Sequence, residues 1–458
     1  MQKKHPLTEW RHLSTLKKAS YAGVTAGACA LVCLLALLLF ADPLANRFIK
    51  PKIIKAFTDV YPAYAIRIAD MQYSVVRNRF GFDSVALSAA DSTFSCTVGP
   101  FSVSGISWMH LLWGGKIGTK DFADADLDAH DIELNFPQEQ YALRCGLLRV
   151  SLPDSEIVVE ALKVHPSGDD EQFFAGSKFR RTRLRLVVPH ARVMGLACLE
   201  LLEGKNYRTR SAHIYDALVD VLINKDKPFP KDTASPLMPH EILSSIQETL
   251  QVDSLRIRNA QLKYGERFGV GAQPAMITFD TMEVLAEGIA NHGIRGAALV
   301  IQAQGIFMKA GTVKMRMSIP VASPDFSYQY SGSLGRMEVS ALNAFLETAE
   351  QMRIKEGVIE KATFEVNVDS GRASGNVRVV YRDLIFAAIN KQTGSEKGFI
   401  DRIASYIANN YKFRGTNVPD ESGEMKSGVV KYARKRDELF LEFTWFALRS
   451  GVGNVVGF

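Results

Sequence analysis

The sequence predicts a mainly β protein with a few helices, carried on one N-terminal transmembrane helix. Three observations predict it: an uncharged apolar run near the start, a two-residue hydrophobic period through most of the remainder, and sparse helical signals. The chain has 458 residues, 47% hydrophobic and 23% charged, which is ample for a large core. Its net charge of +6 comes from scattered rather than clustered basic residues, so no nucleic-acid partner is expected.

No charged residue occurs from Ala19 to Ala41, and Leu31, Leu34, Leu35, Leu38 and Phe40 make its centre strongly apolar. A helix of this length crosses a hydrocarbon core about 30 Å thick. A cleaved signal peptide would need a shorter apolar region and a small-residue site, and Ala41-Asp42-Pro43 is a poor one. Lys3, Lys4, Arg11, Lys17 and Lys18 precede the run and Asp42 follows it, which places the N-terminus in the cytoplasm, although Arg47, Lys50, Lys52 and Lys55 weaken the asymmetry. The expected organisation is a cytoplasmic tail over 1–18, a transmembrane helix over 19–41, a β-rich region over 42–240, and a second over 241–458 with C-terminal helices.

Beyond residue 60 the alternation is explicit. Val313, Met315, Met317 and Ile319 interleave with Lys314, Arg316 and Ser318, and Leu184, Leu186 and Val188 with Arg183, Arg185 and Val187. Ala362, Phe364, Val366 and Val368 share one face. Turn chemistry at Asp369–Arg372 follows, then Ala373, Gly375, Val377, Val379 and Tyr381, which predicts an antiparallel hairpin. Helices are expected over 43–60, 239–251, 339–352, 395–411 and 437–448, with a polar loop over 415–427. A short similarity links Gly105–Lys116 to Gly195–Lys205, each flanked by strand-like sequence, and suggests a stacked, elongated sheet.

Chemistry-bearing motifs are few. Asp124, Asp126 and Asp128 fall on one face of a strand, and without a glycine and glutamate in register they read as a solvated face rather than a calcium loop. The nine histidines form no zinc motif, and neither a nucleophile elbow nor a phosphate loop is present. Gly269-Val270-Gly271 lacks the third glycine of a dinucleotide loop. Cys96, Cys145 and Cys198 have no ligand or disulfide spacing and read as small buried apolar residues. No enzyme, cofactor or metal is therefore expected. Apolar strand faces outnumber the helices that would cover them. Either two sheets pack face to face, or a curved sheet presents an open apolar trough to a hydrophobic ligand. In the second case Phe364, Val366, Val368, Val377, Val379 and Tyr381 are the candidate wall.

The stretch Leu255–Tyr264 followed by Ile277-Thr278-Phe279-Asp280 resembles the repeated strand–turn–strand units of AsmA-like proteins. Leu342-Asn343, Ile354–Gly357, Gly371–Gly375 and Tyr381–Leu384 resemble the tail of members of that superfamily. The resemblance implies an elongated, curved antiparallel sheet of AsmA/chorein-like type, an inner-membrane location in a Gram-negative bacterium, and bulk in the periplasm. It implies membrane lipid as the partner and phospholipid or another acyl-chain ligand as the cargo, in support of outer-envelope homeostasis. Two rival readings stand beside it: a scaffold that binds an envelope protein by its sheet edges, and a membrane-anchored hydrolase with an unrecognised site.

Overall fold

The computed structural model describes residues 41–74, 76–106, 119–202, 206–229, 235–292, 297–321, 325–389 and 414–457. Tail residues 1–18, anchor residues Leu31, Leu34, Leu35, Leu38 and Phe40, and the helix expected over 395–411 lie outside the described residues. Among the described residues no helix is long and apolar enough to cross a membrane.

Alternating sequence becomes one extended, curved sheet of twenty-one strands. It opens with three broken rungs: β1 (Tyr64–Ile68) with β2 (Met71–Ser74), β3 (Arg79–Phe82) with β4 (Val85–Ala89), and β5 (Ser95–Val98) with β6 (Phe101–Ser104). Unbroken rungs follow as β7 (Asp126–Phe136), β8 (Tyr141–Ser151), β9 (Glu156–Pro166) and β10 (Thr182–Met194). Next, β11 (Asn206–Tyr215) and β12 (Leu218–Asn224) share a rung, followed by β13 (Thr249–Arg267), β14 (Ala275–Ala290), β15 (Ala298–Phe307) and β16 (Gly311–Pro320). β17 (Tyr328–Leu334) and β18 (Met337–Glu338) share the next, before β19 (Met352–Asp369), β20 (Arg372–Ala388) and the short β21 (Gly428–Ala433). Five strands are thus second halves of broken rungs, so the described ladder has sixteen rungs in chain order.

Neighbouring rungs are antiparallel with one exception. The β11/β12 rung runs parallel to β13, with Asn206 opposite Thr249 and Asn224 opposite Arg267. A parallel step requires a return crossover, and residues 225–248 make it. The regions expected over 42–240 and 241–458 are therefore consecutive parts of a single ladder. The predicted hairpin is present with the predicted turn. Ser370 and Gly371 both have positive φ, 46° and 73°, as a two-residue type I′ turn demands.

Helices occupy the connections and the two ends: α1 (Lys50–Val60), α2 (Asp170–Ala175), α3 (Cys198–Leu202), α4 (Pro239–Ser245), α5 (Asn343–Ala349) and α6 (Phe440–Val456). The expected helix over 239–251 stops at Ser245 because Thr249 already enters β13. That over 339–352 begins as a 3-10 turn, Val339–Leu342, and α6 extends eight residues past the expected end at Leu448. The short helices α2 and α3 carry too few residues to show a helical period. α2 is nonetheless built locally: Asp169 Oδ1 accepts the Gln172 N–H at 2.8 Å, and Gln172 Oε1 accepts the Asp169 N–H.

Each helix end-piece also closes a sheet edge. Before α1, a π-helical turn, Ala45–Ile49, lies along β2. Asn46 Oδ1 accepts the Met71 N–H at 3.0 Å and its Nδ2 donates to the Met71 carbonyl at 2.6 Å, while Asp42 Oδ1 accepts the Tyr73 N–H at 2.7 Å. At the far edge, Asn454 and Ser450 of α6 accept the N–H groups of Val429 and Lys431 on β21, both at 3.3 Å. Unpaired strand edges recruit other chains, and these side chains blunt that tendency.

The main core sits beneath α6. Phe443, Ala447, Gly451 and Val455, four residues apart, face β20 and β21 and are buried. Gly451 permits the approach: a Cβ there would lie 2.6 Å from a Val377 methyl and 2.7 Å from a Val430 methyl. Gly451→Leu is therefore expected to lower stability by about 1–3 kcal/mol through overpacking. A urea-unfolding midpoint unchanged from the parent would contradict this packing.

Candidate functional site: an uncovered apolar face

Registers place one apolar face across the whole ladder. On β7 it consists of Leu127 and Ala129, then Ile132, Leu134 and Phe136, so the parity slips by one residue in mid-strand. The slip falls at Asp131, whose φ is 48°, and the β7–β8 register runs through it unbroken. The phase turns over there in both paired strands, which keeps their apolar side chains on the same side. The same slip recurs on β8 between Cys145 and Leu148, on β9 between Val159 and Leu162, and on β10 between Val188 and Ala191. It continues between Ile214 and Val219, Ile257 and Ala260, and Phe279 and Met282.

These slips are neighbours in space. Asp131, Ala161, Asp216, Asn259 and Thr281 all have φ between 47° and 56°, and Gly146, Pro189 and Gly305 occupy the intervening strands at the same level. In the first three rungs the crease becomes an outright break at 69–70, 83–84 and 99–100. The breaks are bridged by Ala69 N–H to the Ser84 carbonyl (2.9 Å) and Gly99 N–H to the His130 carbonyl (2.9 Å). One crease therefore crosses ten rungs. At its level Val188, Ala217 and Ala260 form a buried floor, with Leu162, Leu186, Ile214 and Ile257 half-buried around them.

Cover over this face is uneven. Toward the C-terminal end α5 packs against β14 and β19, and α6 against β20 and β21. Over the middle of β5–β12 no described helix packs on the face. α1 contacts β1, α3 packs on β11 beside the rim, and α2 buries Phe173 and Phe174 against Leu222, whose register places it on the opposite face, and against Tyr141 at a strand end. Leu134, Leu148, Val159, Leu186 and Ile214 are only half-buried there.

The other face is polar and stitched by cross-strand ion pairs. Asp128 accepts Arg149 Nε at 2.7 Å and lies 3.4 Å from Arg79, Arg144 pairs with Glu133 at 3.2 Å, and Arg192 pairs with Glu156. Asp128, from the acidic row, thus engages arginines on a solvated face. His213, also on this face, has its pKa lowered by burial and then by Arg256, Arg258 and Arg192.

The predicted wall residues are corrected. Val366, Val368, Val377, Val379 and Tyr381 are buried, and Phe364 is half-buried against the same cluster, beneath Phe443, Ala447 and Val455. They share the apolar face of the trough but occupy its closed end. Covering them is favourable because α6 is itself apolar along the facing stripe. Tyr381 donates its phenol hydrogen to the Arg414 carbonyl at 2.8 Å, and burial pushes its pKa up to about 12. Tyr328 and Tyr330 anchor α6 through Thr444, at 2.7 and 3.0 Å. At the other end of the plug, Lys225 contacts Glu442 of α6 at 2.5 Å and Glu266 of β13 at 3.4 Å, and Tyr264 donates to Glu266 at 2.7 Å.

Cys96, Cys145 and Cys198 are free, and burial raises the pKa of each thiol. Among the described residues no group of three or more metal-ligating side chains converges. The two repeat copies share a structural start, since Gly105 and Gly195 both leave a strand with positive φ, 74° and 69°; the first copy beyond 106 lies outside the described residues. Comparison with protein-family models gives no match for this chain, and comparison with curated proteins gives none either.

The division into closed and open ends predicts a difference in mutational cost. Val366→Ala and Val377→Ala are each expected to cost about 2 kcal/mol in denaturant unfolding, while Val159→Ala on the open face costs less than about 1 kcal/mol. Equal losses at the three positions would place all of them in comparable cores.

Proposed function

We propose that this chain is a membrane-tethered, AsmA-like trough protein that shelters the acyl chains of phospholipid or a similar amphiphile against the apolar face of β5–β12. In this reading the apolar run over 19–41 anchors it in the inner membrane. Its bulk lies in the periplasm, and its work is envelope lipid homeostasis without covalent chemistry. The observation that carries the reading is a continuous apolar face, held in phase by a crease, with no described helix above its centre. Large uncovered apolar surfaces mark binding. Burial supplies about 0.8 kcal/mol per methylene, which favours a long alkyl chain over a small polar ligand.

Dimensions agree with such a guest. At about 4.8 Å between strands, the rungs from β5/β6 to β11/β12 extend roughly 25 Å across the ladder, comparable to a long alkyl chain. The rival scaffold reading depends on free sheet edges, and the capping by Asp42, Asn46, Ser450 and Asn454 weighs against it.

Purification of the full chain in mild detergent, followed by extraction and mass spectrometry, is expected to recover phospholipid in near-stoichiometric amount. Val159→Arg and Leu134→Arg should reduce that recovery at least about fivefold by placing a charge among the chains. Preparations of the parent protein that carry no lipid would overturn the proposal.

A further inference from the structure

The trough does not end in apolar sequence. At the ends of β10, β11 and β13 a cavity of about 890 Å³ opens, lined largely by polar and charged side chains. Arg208 and Arg210 continue the register of Ala212 and Ile214, so they rise from the trough's own face at its rim. Asp253 continues the register of Leu255 and Ile257 on the next strand.

The cavity wraps the strand ends and takes side chains from both faces, and its charge is partly spoken for. On the polar face Arg192 pairs with Glu156, and on the trough face Arg208 lies 3.7 Å from Glu200. Arg210 stands beside Asp253 in the parallel register, between the pairs Thr209–Val252 and Ser211–Ser254, yet among the described residues it makes no ion pair. Its stem runs over Gly195, where a Cβ would come within 2.7 Å of the Arg210 Cβ and 3.3 Å of its Nε. Among the described residues Asp253 accepts a neutral amide, Gln251 Nε2 at 2.8 Å, and Asp154 a hydroxyl, Ser151 Oγ at 3.0 Å, and neither makes an ion pair. One guanidinium and two carboxylates are left facing a shared space at the end of an apolar strip.

We infer that this cavity is the headgroup site of a zwitterionic amphiphile, with the phosphate on Arg210 and the ammonium on Asp253 and Asp154. The inference rests on the trough reading. A guanidinium suits a phosphate by charge and by its forked donors. A purely anionic headgroup would meet the surplus carboxylates, which disfavours it by like-charge repulsion.

The test uses the full chain in detergent with acyl-labelled phosphatidylethanolamine, phosphatidylglycerol and diacylglycerol, the last having the tails but no charged headgroup. Arg210→Gln is expected to weaken phosphatidylethanolamine binding roughly tenfold, and Asp253→Asn by a smaller factor, with diacylglycerol binding unchanged. Both side chains are exposed, so neither variant should lower the melting temperature. Phosphatidylethanolamine bound equally by parent and variants, with diacylglycerol also bound, would overturn the headgroup site and leave the trough standing. Phosphatidylglycerol bound as tightly as phosphatidylethanolamine would overturn the zwitterion. Tail-free glycerophosphoethanolamine competing at equal strength would assign the cavity to a soluble phosphodiester and overturn the lipid. Failure of all three labelled lipids to bind would remove the trough reading and this inference together.

Discussion

Everything in this architecture depends on keeping apolar side chains on one face of strands that are too long to stay in phase unaided. A β-strand alternates strictly, so any extra residue turns the remainder of the strand over. Here the phase is reset at the same level in rung after rung, at residues with positive φ: Asp131, Ala161, Asp216, Asn259 and Thr281. Positive φ at a non-glycine residue is unfavourable, by roughly 1 kcal/mol each, so the repeated slip is costly unless neighbouring rungs share it. Sharing makes it cooperative: adjoining rungs change phase at the same level, so the register from β7 to β10 passes through unbroken. The result creases the first ten rungs along one line.

The two ends of the ladder use the same apolar face differently. In the C-terminal rungs α5 and α6 fill it, and the plug is fixed by directional bonds: the Tyr328 and Tyr330 phenols on Thr444, and Lys225 between Glu442 and Glu266. Buried ion clusters add little net stability compared with well-packed apolar groups, but they discriminate against alternative placements. A helix lying on a smooth apolar surface could slide along it; these bonds define one position. In the rungs up to β12 the polar side chains of this face, Arg208 and Arg210, stand at its rim, and the described structure leaves the centre uncovered.

Much of this was legible in the sequence, and the part that was not has a physical cause. The hairpin over 362–381 alternates without a slip and carries an unmistakable turn, so strands, register and turn were all readable. The full length of β7, β9 and β13 was not, because alternation counted through Asp131, Ala161 or Asn259 changes face and mimics two short strands. Alternation also says which side chains share a face, and nothing about what lies above them. Val366, Val377 and Tyr381 were rightly grouped on one apolar face, yet a helix that begins only at Phe440 covers them. The half-buried residues of the open face, such as Leu134 and Val159, carry the same pattern as the buried ones. Arg208 and Arg210 were overlooked for a related reason: they look like ordinary outward residues until the β11–β13 register shows them on the inner face.

An uncovered apolar sheet is ordinarily an aggregation hazard, and the distribution of polar groups indicates how this one avoids it. Edge-to-edge growth is opposed at both ends by side chains that already accept the outermost N–H groups. Back-to-back stacking is opposed by the charged face bearing Arg149, Arg144 and Arg192. Face-to-face pairing of two troughs would need flat, complementary surfaces, and a creased sheet offers a bent one. A flexible chain can follow such a bend where a rigid partner cannot. The same crease that keeps the apolar residues in phase therefore also selects the shape of the guest.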